Sequence, residues 1–362
     1  MTNAVSLAQQ ASTGVSQGFK NRIINGAMVI DQRNAGASIA PGTGTNLFPV
    51  DRFYFGASQN SKLTTQQNAG AITPPVGFSN YLGITSSSAY SVVSSDYFFL
   101  EQPIEGFNTS DLMFGTANAK TITLSFWVRS SGLTYPATFG GSLRNSATSR
   151  SYPFSYTINS ANTWEYQTIT IPGDTSGTWI GGTNGIGLRV AFSLGMGSTF
   201  SGTAGAWASA NYGSATGATS VVGTNGATLY ITGVQLEVGS TATSFDYRPY
   251  GTELQLCQRY FVQLQYSGSG IEMVIAGAMT GATNWTSYIP YPMRASPTVN
   301  LPTSSVIRQA GGTYNVSSWS TYSLGGAAQG FYLAATVATS LTANSAAHFY
   351  SFQQTANFSA EL

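Results

Sequence analysis

Catalytic side chains are scarce in this sequence. It contains one histidine, His348, and one cysteine, Cys257. A catalytic triad or a zinc site needs histidine, and His348 stands alone in "AAHFYSF", a pattern typical of a strand residue with a satisfied imidazole. Cys257 cannot form a disulfide within the chain, so the fold must assemble without oxidation. The sequence therefore predicts no catalytic residue and no metal ligand of these types.

A pair of carboxylates is the one arrangement that could cleave a glycosidic bond. Glu101 and Glu105 stand four residues apart in "LEQPIEG", a spacing that shares a face on a helix, but Pro103 between them argues against a helix. Glycoside hydrolysis needs the two groups at a suitable separation in space, which sequence spacing leaves open. A glycan-cleaving enzyme is therefore kept as an alternative, beside the simpler interpretation of a solvated strand end.

Other ligand-binding patterns are weak. Glycine-rich segments such as "GGTNGIG" lack the lysine and the strand-to-helix context of a phosphate loop, so we interpret them as loops. The acidic residues are dispersed, which disfavours a calcium cluster, although a structural ion held largely by backbone carbonyls stays open. We predict no cofactor.

Tryptophans are the most informative group. Trp127 and Arg129 stand on the non-core parity of the strand "TITLSFWVR", whereas Trp179 and Trp207 lie in glycine-rich segments that we expect at the surface. Exposed aromatic rings offer flat apolar faces for sugar rings, and arginine can bond sugar hydroxyls. We therefore predict that these four residues bind a ligand. The alternative is that the tryptophans fill subunit contacts, which also favour tryptophan and tyrosine.

The composition excludes several classes of protein. Charged residues make up 7% of the 362 residues, against about 25% in a typical chain. Aromatic residues reach 13% and the formal net charge is +1, which argues against disorder. With three lysines, the chain offers no basic cluster for a nucleic-acid backbone, so we predict no nucleic-acid binding. No run of 18 apolar residues and no signal-peptide pattern are present, so we expect no membrane insertion and folding in a reducing cytoplasm.

The texture of the sequence from residue 21 onward indicates β-structure. Short apolar runs alternate with Gly, Pro, Asn and Ser, which predicts an all-β sandwich or barrel. In "TITLSFWVR" the alternation predicts a core face made of Ile122, Leu124, Phe126 and Val128. Gly233, inside "YITGVQLEV", predicts a bulge or a close backbone approach.

The chain is long enough for two domains and a tail. Residues 1–20 are weakly periodic, and we expect an arm that orders on a partner. Thr252 and Gln255 fit a capping box before apolar residues at helical spacing, so a short helix is predicted within residues 251–262. Beyond it, residues 263–362 are nearly uncharged and rich in strand patterns. They predict a second, smaller β-sandwich.

Several segments resemble a family of bacteriophage virion fibre proteins. The resemblance covers residues 20–262 in order, and its closing segment is the most specific. The segments that carry it are "NRIINGAMVIDQRNAG" (21–36), "DRFYF" (51–55), "TLSFWVRSS" (123–131), "WEYQTITIPGDTSGTW" (164–179), "YITGVQLEVG" (230–239) and "FDYRPYGTELQLCQRYF" (245–261).

This resemblance implies a fold and a function. It implies that residues 21–250 form a jelly-roll β-sandwich similar to carbohydrate-binding modules. It also implies a homotrimer that docks on other virion proteins through its N-terminal arm and displays its C-terminal domain to a host-surface glycan. The resemblance implies no catalytic residues at positions of this sequence. We therefore predict a non-enzymatic structural protein of the phage virion, a tail fibre subunit, with a head fibre or capsid decoration protein and a glycan-cleaving tail enzyme as alternatives.

Overall fold

The computed structural model describes residues 19–43, 47–265, 272–301, 305–309, 312–323, 330–338, 341–352 and 355–362. Strands dominate this part of the chain, and the all-β prediction is confirmed. The arm predicted over residues 1–20 lies outside the described residues except for its last two. Within the described ranges, no helix is both long and apolar enough to cross a membrane.

The first domain is a β-sandwich. Its strands are β1 (Leu47–Val50), β2 (Phe53–Ala57), β3 (Leu63–Gln67), β4 (Leu82–Ser86), β5 (Tyr97–Glu105), β6 (Ile122–Ser131), β7 (Ala137–Arg144), β8 (Ser151–Ile158), β9 (Glu165–Ile171), β10 (Ile186–Met196), β11 (Ser201–Gly202), β12 (Ser214–Ala215) and β13 (Thr228–Val238). A six-stranded sheet has the order β1-β2-β5-β10-β7-β8, and a five-stranded sheet has the order β3-β4-β13-β6-β9. Both are antiparallel and share one apolar core, which confirms the predicted sandwich of the jelly-roll class.

The alternation predicted for β6 explains how the two sheets meet. Ile122, Leu124, Phe126 and Val128 are all fully buried. The Phe126 ring packs edge-on against Phe192 in β10 of the other sheet, with the ring centroids 5.0 Å apart. The predicted core face is therefore confirmed, and the outer face of each sheet is left for other contacts.

Gly233 lies at a bulge in β13, as its position inside the strand pattern predicts. The register of β13 against β6 shifts between Thr232 and Gln235, and Gly233 has a φ of 62°, which favours glycine. The amide of Val234 donates a 2.9 Å hydrogen bond to the carbonyl of Gly26. The bulge thus attaches the beginning of the domain to its last strand.

The described residues contain one α-helix, α1 (Tyr250–Gln258), which begins one residue before the segment 251–262 where a short helix is predicted and otherwise lies within it. The predicted capping box is wrong, because Pro249 rather than Thr252 occupies the N-cap position and no side chain caps the helix. Glu253 in the first turn accepts hydrogen bonds from Arg248 and from the backbone of the N-terminal segment. Tertiary contacts therefore fix the start of this helix.

The C-terminal region, predicted as a smaller β-sandwich, is all-β. Its strands are β14 (Phe261–Gln265), β15 (Glu272–Met279), β16 (Asn284–Ile289), β17 (Thr298–Asn300), β18 (Val306–Gln309), β19 (Gly312–Ser323), β20 (Phe331–Val337), β21 (Ala346–Phe352) and β22 (Thr355–Ser359). A three-stranded sheet, β14-β22-β17, lies beside a closed barrel in the order β15-β16-β20-β19-β18-β21. Closure pairs the two edges of a sheet with each other, a step that alternation along single strands does not reveal.

Buried ion pairs connect the two β-rich regions. Arg259, directly after α1, donates two hydrogen bonds of 2.6 and 2.8 Å to the carboxylate of Glu105 at the end of β5. At the other end of the C-terminal region, Glu361 forms ion pairs with Arg33 and Arg52 of the first domain. The end of the chain therefore returns to the first sandwich.

Candidate functional site

Trp127 and Arg129 lie on the outer face of the five-stranded sheet, as the strand parity predicts. Trp127 is half-buried, and its ring centroid lies 5.3 Å from that of Tyr166 in β9. Arg129 is 9% exposed and donates two hydrogen bonds to Asn162, at 2.8 and 3.0 Å. Its guanidinium thereby holds the turn between β8 and β9, so at least two of its donors are committed within the protein.

Trp127 also lines a surface groove with a volume of about 460 Å³, which we call the Trp127 groove. The groove lies between the outer face of the five-stranded sheet and the segment after β13. Besides Trp127, its lining comprises Val76, Gly77, Phe78, Ser125, Tyr166, Gly233, Ala242, Thr243, Ser244, Phe245 and Tyr247. Every side chain in this lining is uncharged, so the groove offers stacking and neutral hydrogen bonds.

Trp179 and Trp207 occupy a different place. Their rings contact each other at a centroid distance of 5.5 Å, and both contact the Phe114 ring, at 4.9 and 5.8 Å. Each indole N–H donates to a nearby backbone carbonyl, and both side chains pack against the sandwich core. Trp179 lines a second small groove that shares no residue with the Trp127 groove. The structure thus does not gather the four predicted ligand residues into one site.

Trp207→Ala should therefore act mainly on stability. The half-buried ring makes three aromatic contacts, with Phe114, Tyr152 and Trp179. We expect the free energy of unfolding to fall by about 2–4 kcal/mol, somewhat less than for a fully buried aromatic residue. Urea denaturation of the full chain measures this loss. Phe107→Ala is the control, because Phe107 is 56% exposed and should change little. A Trp207→Ala variant that melts like the wild type but loses ligand binding would favour the original prediction.

The six-stranded sheet carries the more complete candidate site, which we call the six-strand groove. It has a volume of about 320 Å³ and lies on the outer face of β2, β5 and β7. Its lining consists of Gly42, Tyr54, Gly56, Ala57, Tyr97, Phe99, Arg144, Met196, Phe200 and Asn211. Four aromatic rings and two hydrogen-bonding side chains thus surround one opening.

Strand parity puts the aromatic side chains of β2 and β5 on this outer face. In β2, Phe53 and Phe55 are fully buried in the core, so Tyr54 between them points outward. In β5, the same alternation turns Tyr97 and Phe99 outward. The Phe99 centroid lies 5.7 Å from that of Tyr54 and 5.8 Å from that of Tyr97. The three rings form one continuous apolar wall.

The opposite side of the six-strand groove comes from the chain between β10 and β13. This segment crosses the outer face of the sheet, and its strand β12 lies against β7. A Cβ on Gly140 in β7 would lie 2.3 Å from the Ser214 Oγ, so only glycine permits this approach. The segment brings the Phe200 ring to 5.9 Å from Tyr97, edge-on, and Asn211 to the Arg144 guanidinium at 2.9 Å.

A buried ion cluster lies beside the aromatic wall, on the same face of the sheet. Glu101 is fully buried and accepts hydrogen bonds from the Tyr54 hydroxyl at 2.7 Å, from Arg189 at 2.8 Å and from Arg144. Burial alone would raise the pKa of Glu101, but Arg144 and Arg189 outweigh it and hold the pKa below its usual value. The cluster fixes the Arg144 side chain and leaves Glu101 ionised at neutral pH.

The two carboxylates considered for glycoside cleavage are both buried rather than at a solvated strand end. Glu105 accepts hydrogen bonds from Arg259 and from the Tyr260 hydroxyl, and Glu101 belongs to the ion cluster. Neither belongs to the lining of the six-strand groove. His348 is exposed on β21. Among the described residues, no three His, Cys, Asp or Glu side chains cluster as metal ligands would.

The sequence pattern of β2 and β5 also indicates the six-strand groove, although neither strand contains a tryptophan. In "DRFYFG" and "YFFLEQ" aromatic residues occupy both parities of a strand. One parity fills the core, so the other must place rings on the outer face. Tyr54, Tyr97 and Phe99 could therefore have been named from the sequence, whereas Arg144, Phe200 and Asn211 depend on how the later segments fold across the sheet.

Comparison with known proteins gives structural likenesses of low similarity. No protein-family model matches the chain, and no curated protein matches it significantly. One similar structure is the enzymatically active domain of bacteriophage CBA120 tailspike protein 4, at 13% identity and a TM-score of 0.30, covering 61% of this chain and 22% of that one. Another is the family 11 carbohydrate-binding module of a Clostridium thermocellum cellulase, at 10% and 0.28, covering 58% and 99%. A third is the CBM22 tandem domain from Paenibacillus barcinonensis, at 8% and 0.27, covering 91% and 100%. Likenesses of this size do not bear on activity.

Proposed function

We propose that this protein binds a glycan in the six-strand groove. The aromatic wall of Tyr54, Tyr97 and Phe99 carries this proposal, because sugar rings present apolar faces that stack on aromatic rings. Arg144 and Asn211 stand at one end of the wall and supply hydrogen-bonding groups. A rigid sheet, rather than a loop, positions four of these five side chains, which favours binding with little loss of conformational entropy.

We propose further that the glycan is bound without turnover. A general acid must hold a proton that it can donate, and the lowered pKa of Glu101 keeps that carboxylate ionised at neutral pH. Its oxygens already accept hydrogen bonds from Tyr54, Arg144 and Arg189. These contacts suit a carboxylate that positions arginine side chains. A glycan-cleaving tail enzyme is the competing proposal.

The biological setting we propose is the phage virion, with the protein as a tail fibre subunit, and a head fibre or capsid decoration protein as the alternative. Support comes from the sequence resemblance, whose first and last segments meet in space. Arg248 donates hydrogen bonds to the carbonyls of Asn21 and Ile23, and the amide of Asn25 donates to Glu253. The first and the last segment of the resemblance thus pack against each other. A homotrimer, docked through residues 1–20, completes the proposal.

Affinity electrophoresis of the full-length chain in gels that contain xylan, β-glucan or acidic polysaccharides tests the binding proposal. We expect retardation by at least one of these glycans and no release of new reducing ends on long incubation. Sustained release that disappears in Glu101→Gln or Glu105→Gln would favour the enzyme instead. Sedimentation should give three times the 38.0 kDa chain mass, and mass spectrometry of purified particles should detect the chain. A monomer that is absent from particles would contradict the fibre proposal.

A further inference from the structure

We infer that the six-strand groove takes a glycan bearing a carboxylate, because the buried ion cluster beside it holds one more positive than negative charge. This inference rests on the proposed glycan binding and adds the class of sugar. A uronic-acid or sialic-acid type of residue would place its ring on the aromatic wall and its carboxylate toward Arg144.

The charge count comes from three side chains. Glu101 lies between two arginines, Arg144 on β7 and Arg189 on β10, which stand opposite each other in neighbouring strands. The exposed fractions of these side chains are 0%, 8% and 18%. Within the part of the chain that the structure describes, neither arginine forms an ion pair with any other acid. One buried carboxylate therefore faces two guanidinium groups, and an uncompensated buried charge is costly.

Unfilled hydrogen-bond donors point to the same conclusion. The Nε atoms of Arg144 and Arg189 and the Oγ of Ser142 are buried and have no hydrogen-bond partner among the described residues. Arg144 lines the six-strand groove, and Ser142 precedes it by two positions, on the same face of β7. Buried polar groups are normally satisfied, so these three groups leave hydrogen-bonding capacity that water or a ligand beside Arg144 would fill.

The anionic group that best fits this site is a carboxylate. A guanidinium group presents a planar fork of donors that matches the two coplanar oxygens of a carboxylate. The apolar wall beside it accommodates the face of a sugar ring, which a free inorganic anion would leave uncovered. An acidic sugar uses both features at once.

Matched pairs of polysaccharides test this inference on the wild-type, full-length chain. The probes are polygalacturonate, alginate, hyaluronan and polysialic acid, each beside its carboxyl-esterified form, together with neutral xylan and β-glucan, and dextran sulfate as a plain polyanion. We expect an acidic glycan to bind about tenfold more tightly than its ester, as one buried charge pair can supply. Added salt should reduce this difference only partly, because buried pairs are weakly screened.

Each outcome decides between the two proposals. Equal affinity for an acid and its ester, or binding to neutral glycans alone, would overturn the inference and leave glycan binding intact. No binding to any glycan would overturn both. Equal binding to dextran sulfate and to every acidic glycan would indicate unspecific attraction and would also reject the inference.

A charge-removing variant gives an independent measurement. Arg189→Met removes the excess charge, keeps the Glu101–Arg144 ion pair and leaves the groove lining unaltered. We expect about a tenfold loss of affinity for the acidic glycan and almost none for its ester. Lys120→Met is the control, because it removes one positive charge from an exposed site that pairs with Asp111. If Arg189→Met does not fold, the comparison of acid and ester on the wild type still decides.

Discussion

Replacing Phe99 with alanine should reduce the affinity for glycan by about 30-fold or more. Phe99 is the middle ring of the aromatic wall, in contact with both Tyr54 and Tyr97. A central aromatic side chain of a binding site typically contributes about 2 kcal/mol or more on truncation, which corresponds to this loss. Isothermal titration of the full-length chain with the polysaccharide that binds most tightly measures the change.

The matched control for Phe99→Ala lies on the opposite sheet. Tyr166 is 44% exposed and stands beside Trp127 in the Trp127 groove, so Tyr166→Ala removes an exposed ring of similar size from the other candidate site. We expect Tyr166→Ala to leave the affinity within about twofold of the wild type, since a rim residue contributes little. The reverse pattern, with Tyr166→Ala weakened and Phe99→Ala unchanged, would move the glycan site to Trp127, where the sequence first suggested it.

The fold was more predictable than the site, for a physical reason. The period of two along a strand is a local property, so the core residues of β6 could be named from "TITLSFWVR" alone. Which outer face is open depends on the segments that cross it, and those contacts are distant in sequence. The segment after β10 lies across β7 and β8 on one sheet. The local sequence pattern of β7 does not predict that this segment packs on its outer face.

The tryptophans of the glycine-rich segments, Trp179 and Trp207, are half-buried rather than fully exposed. Such segments lack a regular strand pattern, and Trp179 and Trp207 fold back onto Phe114 and the core. A large ring gains more from apolar contact than from standing in water. The tyrosine and phenylalanine residues of regular strands are held outward by their backbone, so their position on the outer face follows from parity. Parity in a strand therefore predicts on which face of the sheet an aromatic ring lies, whereas residue type in a loop does not.

The contacts of the charged residues in the ion cluster could not be predicted from the local sequence pattern either. Glu101 meets Arg144 and Arg189 at sequence separations of 43 and 88, and Glu105 meets Arg259 at 154. Sheet topology alone creates these pairs. The two carboxylates that stand four apart in sequence therefore belong to separate ion pairs: Glu101 pairs with Arg144 and Arg189, and Glu105 pairs with Arg259.

Replacing Arg259 with methionine should lower the free energy of unfolding by about 3–5 kcal/mol. Arg259 makes two hydrogen bonds to Glu105, whose side chain is 1% exposed, and the Tyr260 hydroxyl is the other partner of that carboxylate. Removal of one partner of a buried ion pair leaves the other charge stranded in a medium of low dielectric constant, and losses of this size are typical. Urea denaturation followed by tryptophan fluorescence measures the difference.

The double variant Glu105→Gln, Arg259→Met separates the stranded charge from lost packing. We expect it to recover at least half of the lost stability, because it removes the buried charge together with its partner. Arg22→Met is the surface control: Arg22 pairs with Asp111, which is 44% exposed, and such pairs contribute about 1 kcal/mol or less.

The Arg259→Met variant should also split a single calorimetric transition into two. Arg259 joins α1 to the end of β5, so its loss weakens the attachment of the C-terminal region to the first sandwich. A single transition with the stability of the Arg22→Met control would show that the two regions are held together by other contacts, with the Glu361 pairs to Arg33 and Arg52 as the next to test.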